Sequence, residues 1–323
     1  MESSGDNPAV AAALSLYPQN AAALTGLREW ENVYGPGLEL QTSHYRIFTT
    51  LMDPAILSRL PLFMECSHAA YNRLLPEPVE PQTRSTVYLF ASRRQWEAFT
   101  QAYAGEQAPV LCKIRQGAYC HQGACVAYDI GVDRTMAALS HEGWHQFMTR
   151  HFAYRLPSWL DEGIAMLFET FTWDDDQCRF RNVANLYRVG GLKAHLDSGT
   201  MLSLEQLLMS SPGEIMAQDN SQSVMGFYSQ AYALVCFLHI GENGAYRAAF
   251  QRLLIDGLHA YWPLDPACRK TAADRNCPRT LTWNRKVGKF LFRHYISDDL
   301  VAVEKQYLAF CREMVKSLDL DEG

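Results

Sequence analysis

The pentad His141-Glu142-Gly143-Trp144-His145 narrows the choice of structure more than any other stretch of this chain. Two histidines four apart act together only if the backbone between them is helical. Only then do residues i and i+4 share a face, with Cβ atoms roughly 5–6 Å apart. Two imidazoles at that spacing converge on one zinc ion at about 2.0–2.1 Å each. Glu142 is turned about 100° round the axis from His141. Its carboxylate therefore reaches a water activated by the metal rather than the metal itself, the position of a proton acceptor. The plain alternative is a surface helix bearing two hydrogen-bonded histidines. Met136, Leu139 and Phe147 at helical spacing, with Thr135 as an N-cap, predict a helix over 135–151 that carries the pentad. Gly143 is out of place there. Glycine costs a helix interior up to ~1 kcal/mol relative to alanine, a cost that a metal bond outweighs.

A catalytic zinc takes three protein ligands and keeps one position open. His151, six residues after His145, has the spacing of the third histidine in H-E-x-x-H-x-x-G-x-x-H enzymes. Those enzymes need glycine at the middle position so that the chain can leave the helix sharply. Met148 stands there instead and favours continuation, which turns His151 away. A histidine near a helix C-terminus is favoured by the dipole without any metal. Glu162, within Ser158-Trp159-Leu160-Asp161-Glu162-Gly163-Ile164-Ala165, is the stronger candidate. It falls on a second helix after a turn at Pro157, so an antiparallel helix can return one carboxylate to the two histidines. Its plain reading is an amphipathic helix with solvated acids at Asp161 and Glu162.

The bulk composition fits an enzyme of this kind. The 323 residues, 48% apolar and 20% charged, suit one large catalytic domain or two lobes sharing a cleft. A net charge of −6 without any Lys/Arg run argues against a nucleic-acid binder. No stretch approaches the length of a membrane-spanning helix. The start, MESSGDNPAV, is acidic, and its apolar stretch is limited to Ala9–Tyr17, so no secretory signal is legible. The expectation is a soluble protein, cytosolic as given or already relieved of a leader. Nine cysteines leave at least one outside any internal disulfide. Cys120 with Cys125, and Cys268 with Cys277, are near neighbours. They are reduced thiols in a cytosolic chain and two local disulfides in an exported one. The absence of any Cys-x-x-Cys unit gives a cysteine zinc site little support.

The periodicity changes along the chain. A short Ala-rich helix and a Gly-Pro-Gly turn at Gly35–Gly37 precede a strand in which Tyr45, Ile47 and Thr49 point one way and Arg46, Phe48 and Thr50 the other. A helix over 54–75, a strand Thr86–Phe90 and a helix Arg93–Tyr103 follow. Residues 117–129 form a hairpin turning near Gln122–Gly123, its second strand running through Val126–Ile130. After Asp133 the pattern is helical, over 135–151, 158–171, 226–240, 244–256 and 298–316. Gly241 and Gly257 are placed as C-caps, and Asp161 lies three residues after Ser158, a capping-box spacing. The expected fold class is α+β, an N-terminal mixed sheet lobe followed by a mainly helical lobe with the zinc helix at their junction. The expected divisions are an N-terminal extension (1–37), a catalytic domain (38–257) and a C-terminal helical extension (258–323).

At the metal residues the chain resembles the gluzincins, zinc peptidases whose third ligand is a glutamate on a following helix. His141–Phe147 and Trp159–Ala165 are similar to the H-E-x-x-H-Q and W-L-x-E-G-x-A blocks of aminopeptidase N-like enzymes, with a somewhat shorter gap. A closer resemblance is to a group of uncharacterised bacterial proteins with a peptidase MA-like core, which share H-E-x-x-H-Q-F, L-P-x-W-L-x-E-G-x-A and a later tyrosine-bearing helix. It covers roughly residues 40–255 and is specific at the metal motifs. It implies a zincin-like fold, one catalytic Zn2+ held by His141, His145 and Glu162, and Glu142 as general base. In Tyr228-Ser229-Gln230-Ala231-Tyr232-Ala233-Leu234-Val235, Tyr228 takes the place of the tyrosine that donates a hydrogen bond to the oxyanion. Tyr232, one turn on, is the other candidate, and both tyrosines are equally readable as packing residues. One departure matters. The G-A-M-E-N block, whose glutamate anchors a free amine, has Gly123-Ala124-Cys125-Val126-Ala127 as its nearest match. The glutamate is missing, so aminopeptidase specificity has no support. The hairpin still offers a strand edge to an extended peptide.

The function expected is zinc-dependent hydrolysis of peptide bonds, with a peptide or protein as substrate. The alternative is a zincin-like protein that binds metal or peptide without turnover. Cleavage preference and oligomeric state are left open.

Overall fold

The computed structural model describes residues 23–81, 83–114, 117–174, 177–216, 221–275 and 281–320. The Ala-rich helix expected near the start and Cys277 lie outside them. In chain order the strands are β1 (Gly26–Glu29), β2 (Leu38–Gln41), β3 (Tyr45–Thr49), β4 (Ser85–Phe90), β5 (Ala118–His121), β6 (Ala124–Tyr128), β7 (Phe171–Asp174) and β8 (Gln177–Phe180). The helices are α1 (Pro54–Leu57), α2 (Leu60–Leu74), α3 (Arg93–Tyr103), α4 (Ala108–Leu111), α5 (Val132–His151), α6 (Ser158–Ala165) and α7 (Leu186–Ser198). They continue with α8 (Leu204–Met209), α9 (Pro212–Met216), α10 (Ser221–Ile240), α11 (Arg247–Leu258), α12 (Pro266–Ala273), α13 (Leu281–Tyr295) and α14 (Leu300–Leu320). The class is mixed α+β, with the sheet early and helices late. Among the described residues no helix is long and apolar enough to cross a membrane.

The chain divides into two compact units. The first takes the described residues up to Leu74, Val79–Arg150 and Phe171–Phe180; the second takes Leu75–Pro78, His151–Thr170 and the described residues from Arg181 on. The first unit is built on a six-stranded mixed sheet in the order β1-β2-β3-β4-β6-β5. Strands β3, β4 and β6 run parallel, and parallel neighbours need crossover connections. Helices α1 and α2 supply the first crossover, α3 and α4 part of the second. Strand β1 joins the sheet from within the segment set off as an N-terminal extension. The alternation read in β3 places Tyr45 and Ile47 in a core with Leu60, Phe63 and Met64 of α2 and Met136 and Leu139 of α5. Phe48 points to the opposite face, where it stacks on Tyr88, and on that face Phe90, Val126 and Tyr128 pack with Trp96 and Phe99 of α3. The hairpin turn is at Gln122–Gly123 as expected. Both residues have positive φ (48° and 76°), the conformation of a two-residue turn matched to strand twist.

Several boundaries differ from the sequence expectation. The helix expected over 54–75 is interrupted after Leu57, and the second hairpin strand begins at Ala124 rather than Val126. Helix α5 starts at Val132. Thr135 Oγ1 instead accepts from the Ile130 N–H and donates to Asp129 Oδ1, tying the first turn back to the preceding loop. The helix expected over 158–171 stops at Ala165, and after one 3₁₀ turn the chain enters β7. Pro157 offers no side-chain cap; Asn284 Oδ1 accepts the Ser158 N–H at 2.9 Å, in place of the capping box expected from Asp161. Gly257 lies inside α11, where Trp262 packs against it, instead of capping the helix.

The second unit is organised round α10. Phe227 and the run Ala231–Leu238 are fully buried, and a helix apolar on all sides is one surrounded by protein. Helices α6, α7, α11 and α14 pack against it. The C-terminal helices belong to this core: Val287, Leu291 and Phe292 of α13 are buried, and Tyr307 of α14 donates to the Gln230 carbonyl at 2.9 Å.

Glu39 shows how the sheet manages a buried charge. It is 3% exposed on β2. Burial alone would raise its carboxyl, but hydrogen bonds from Arg46, Gln41 and Arg28 outweigh that and bring it from 4.5 down to about 2. A depressed carboxyl contributes stability above its unfolded value and loses it as pH falls through the folded value. Urea denaturation across acid pH is therefore expected to show stability declining below about 4.5 toward 2. Glu39→Gln is expected to be less stable at neutral pH and to flatten that decline.

Candidate metal centre

The pentad lies in the middle of α5, which runs unbroken from Val132 to His151. Met136, Leu139, Trp144, Phe147 and Met148 are buried, so one face of the helix is fixed in the core. His141, Glu142 and His145 are half-buried, and one ligand atom from each lies within 4.8 Å of the others. The two Nε2 atoms are 3.3 Å apart, with ring planes 75° to one another. That separation tests the fit. Two nitrogens each ~2.05 Å from a tetrahedral ion are about 3.3 Å apart. The imidazole pair is thus spaced as two ligands of one ion, and imidazole and carboxylate are donors that suit a divalent metal. The Glu142 carboxylate stands beside that point from the adjoining helical position.

Three contacts hold the face in place. Tyr71 of α2 donates to the Ser140 carbonyl at 2.6 Å. A Cβ at position 143 would stand 2.5 Å from the Tyr71 oxygen. Gly143 is therefore required by this close approach, a reason that helical periodicity does not contain. Gln146 donates to the carbonyls of Thr86 on β4 at 2.8 Å and Gly123 in the hairpin at 2.6 Å, pinning α5 to the sheet. Burial, with Glu142 among the charges nearby, keeps Tyr71 and Cys125 protonated well above their usual values. Both remain neutral neighbours of the carboxylate. Cys120 and Cys125 pair in register across the hairpin without a disulfide between them. Among the described cysteines none is bridged.

Gly143→Ala is expected to cost about 1–3 kcal/mol by overpacking against Tyr71. Tyr71→Phe removes that hydroxyl along with its hydrogen bond, worth ~1 kcal/mol. A double-mutant cycle by urea denaturation should show the two changes less than additive by about 1 kcal/mol. Strict additivity would mean that the contact does not dictate glycine.

The other residues singled out in the sequence belong to the second unit. Glu162 lies on α6 and is buried. The next residue explains how its helix is set. A Cβ on Gly163 would stand 2.6 Å from the Ala231 carbonyl oxygen and 2.5 Å from Val235, so α6 and α10 approach backbone to backbone. Tyr228 is on α10, three residues before Ala231. Its ring lies under the Arg188 guanidinium at 5.4 Å, and Glu169 pairs with Arg188 at 2.6 Å. Tyr232 is fully buried, donating to the Asn182 carbonyl at 3.1 Å and accepting from the Asn185 N–H at 3.2 Å. The two tyrosines left open by the sequence are thereby separated: Tyr232 is a core residue with its hydroxyl committed to backbone. His151 ends α5, and the helix does not break after His145 as a third histidine ligand of the glycine-dependent kind requires.

The sequence singles out the candidate donors and not the residues packed against them. Tyr71 and Arg188 carry no motif, and Gln146 was visible only as part of the H-E-x-x-H-Q block. The chain matches no known protein-family model and no curated protein, so the chemistry of the site is argued from its own residues.

Proposed function

We propose that this protein is a zinc-dependent peptidase of gluzincin type. The observation that carries the reading is the convergence of His141, Glu142 and His145 on one face of α5, with imidazole nitrogens spaced for one tetrahedral ion. Zn2+ is the proposed ion, held by His141, His145 and Glu162. The resemblance of Trp159–Ala165 to W-L-x-E-G-x-A supports Glu162, and the Gly163 contact supplies a physical reason for the glycine beside it. When bound, zinc supplies a Lewis acid that polarises a carbonyl and acidifies water. Glu142 takes the proton from the attacking water and returns it to the leaving amine. Tyr228 donates its hydroxyl to the oxygen that gains charge in the tetrahedral intermediate. Strand β5 is at the edge of the sheet, and its outer main-chain groups suit an extended peptide.

A quenched fluorescent peptide library tests this reading. Cleavage that stops with a chelator and returns with added zinc is expected. Stoichiometric zinc without cleavage of any member would favour the alternative, a zincin-like protein that binds without turnover. The third ligand has its own test. Glu162→Ala is expected to weaken metal binding by at least ~10²-fold, more than a lost supporting residue does. His151→Ala is expected to leave metal content unchanged. The reverse pattern, read by metal analysis, would assign the chain to the three-histidine class.

A further inference from the structure

The first unit contains a concavity of about 650 Å³ whose lining includes Arg28, Gln41, Ser43, Arg46, Thr83 and Arg84. A volume in that range holds a small organic ligand. Three arginines meet there, in a chain whose net charge is −6. The strand register brings two of them together. Arg28 on β1 is the cross-strand partner of Glu39 on β2, and Gln41 on β2 is that of Arg46 on β3. The Arg46 guanidinium also lies over the ring of Phe48, at 4.7 Å. Arg28 and Arg46 both donate to the Glu39 carboxylate, at 2.7 and 2.6 Å. Their side chains are nevertheless 61% and 45% exposed, so guanidinium surface remains open to the cavity. Arg84 comes from the segment before β4, and its Nε donates to the Thr42 carbonyl at 2.6 Å. Arg150 of α5 fixes the same segment from behind. It donates to the Thr83 carbonyl and hydroxyl at 2.7 and 2.9 Å and to the Arg84 carbonyl at 3.0 Å. We propose that this concavity binds a small phosphate monoester, with the phosphate on Arg28, Arg46 and Arg84 and the polar body of the ligand on Gln41, Ser43 and Thr83.

Charge balance selects the phosphate. Three guanidiniums share one carboxylate, that of Glu39, which leaves two positive charges in a confined space. Glu65 and Glu80 are directed at His44 instead. Fixed like charges repel, and a bound dianion relieves that repulsion. A phosphate monoester carries about −1.5 to −2 near neutral pH, and the planar guanidinium fork takes two of its oxygens at once. The geometry favours a compact anion over an acidic peptide. Carboxylates on one face of an extended chain are about 7 Å apart, whereas Arg28 and Arg46 already converge on a single carboxylate. The amide of Gln41 and the hydroxyls of Ser43 and Thr83 both donate and accept, which suits a hydroxylated body attached to the phosphate. The site shares no residue with the proposed metal centre and does not depend on the peptidase reading.

The test is isothermal titration of the full chain with glucose 6-phosphate at neutral pH and low ionic strength. Saturable binding of about one molecule per chain is expected, weakening as salt is added, with no binding of glucose. Arg28→Gln and Arg84→Gln should each lower the affinity by at least ~10-fold, the scale of one lost charge-assisted hydrogen bond. Lys316→Gln makes the same change in net charge on an exposed part of α14 and should alter it less than ~2-fold. Circular dichroism checks each variant, and the exposed Arg28 gives the substitution least able to disturb the fold. His145→Ala should leave binding unchanged. Loss in His145→Ala with retention in the arginine variants would place the anion at the metal centre and overturn the proposal. So would an absence of saturable binding, an equal loss in Lys316→Gln, or tighter binding of a short polyglutamate peptide, which would assign the cavity to acidic peptides.

Discussion

Alanine in place of His141 or His145 is expected to strip the protein of its metal. The unaltered chain should carry about one zinc per molecule, since the motif supplies ligands for one catalytic ion. In the proposed site each imidazole is one of three protein donors, and the other imidazole nitrogen, 3.3 Å away, cannot close the coordination shell alone. The loss in affinity should exceed the ~10²-fold that removal of a mere supporting residue costs. Metal analysis of the purified variants, with competition against a chromophoric chelator, reads the effect directly. The helix itself should survive. Both side chains are half-buried, and α5 is anchored elsewhere by Tyr71 at Ser140 and by Gln146 at Thr86 and Gly123. Unchanged circular dichroism with lost zinc is therefore the expected pair of results. Full zinc retention in both variants would remove the basis of the site.

Glu142→Gln is expected to separate binding from chemistry. The amide keeps the shape of the carboxylate and leaves His141 and His145 untouched, so zinc should remain at about one per chain. It cannot accept a proton, and the loss of a general base lowers the rate by about 10²–10⁴-fold. The fall should appear in kcat, with KM nearly constant, because the proton moves only in the transition state. A stability measurement should accompany the assay. Burial and charges that include Glu142 hold Tyr71 and Cys125 protonated. Removing a negative charge from beside two neutral groups should leave the fold intact or slightly firmer. An undiminished rate in Glu142→Gln would end the hydrolytic mechanism proposed for this carboxylate, whatever the zinc content.

What was legible in the sequence was local. Alternation in Tyr45–Thr49, the extent of Arg93–Tyr103 and the turn at Gln122–Gly123 follow from residues within a few positions of one another. So does the sharing of one face by His141 and His145, because a helix converts a spacing of four into proximity. The β7–β8 hairpin was not legible. Its strands are four residues each, too short for a period of two to stand out, and the contact of Phe171, Trp173 and Phe180 with Phe63 of α2 exists only in the folded chain. Caps differ for the same reason: Asn284 accepts the Ser158 N–H, and Trp262 packs against Gly257 inside its helix, from a distant point in the chain or across a turn. Two glycines mark the division most clearly. Gly143 and Gly163 appear in the sequence as helix-weakening residues next to the proposed catalytic and ligand glutamates. Only the folded chain supplies the Tyr71 hydroxyl that excludes a side chain from one, and the Ala231 carbonyl that excludes it from the other. Local sequence determined which groups are candidates for the chemistry, because helix periodicity is short-range. Tertiary structure decided what holds them in position, because close packing joins surfaces that no sequence interval relates.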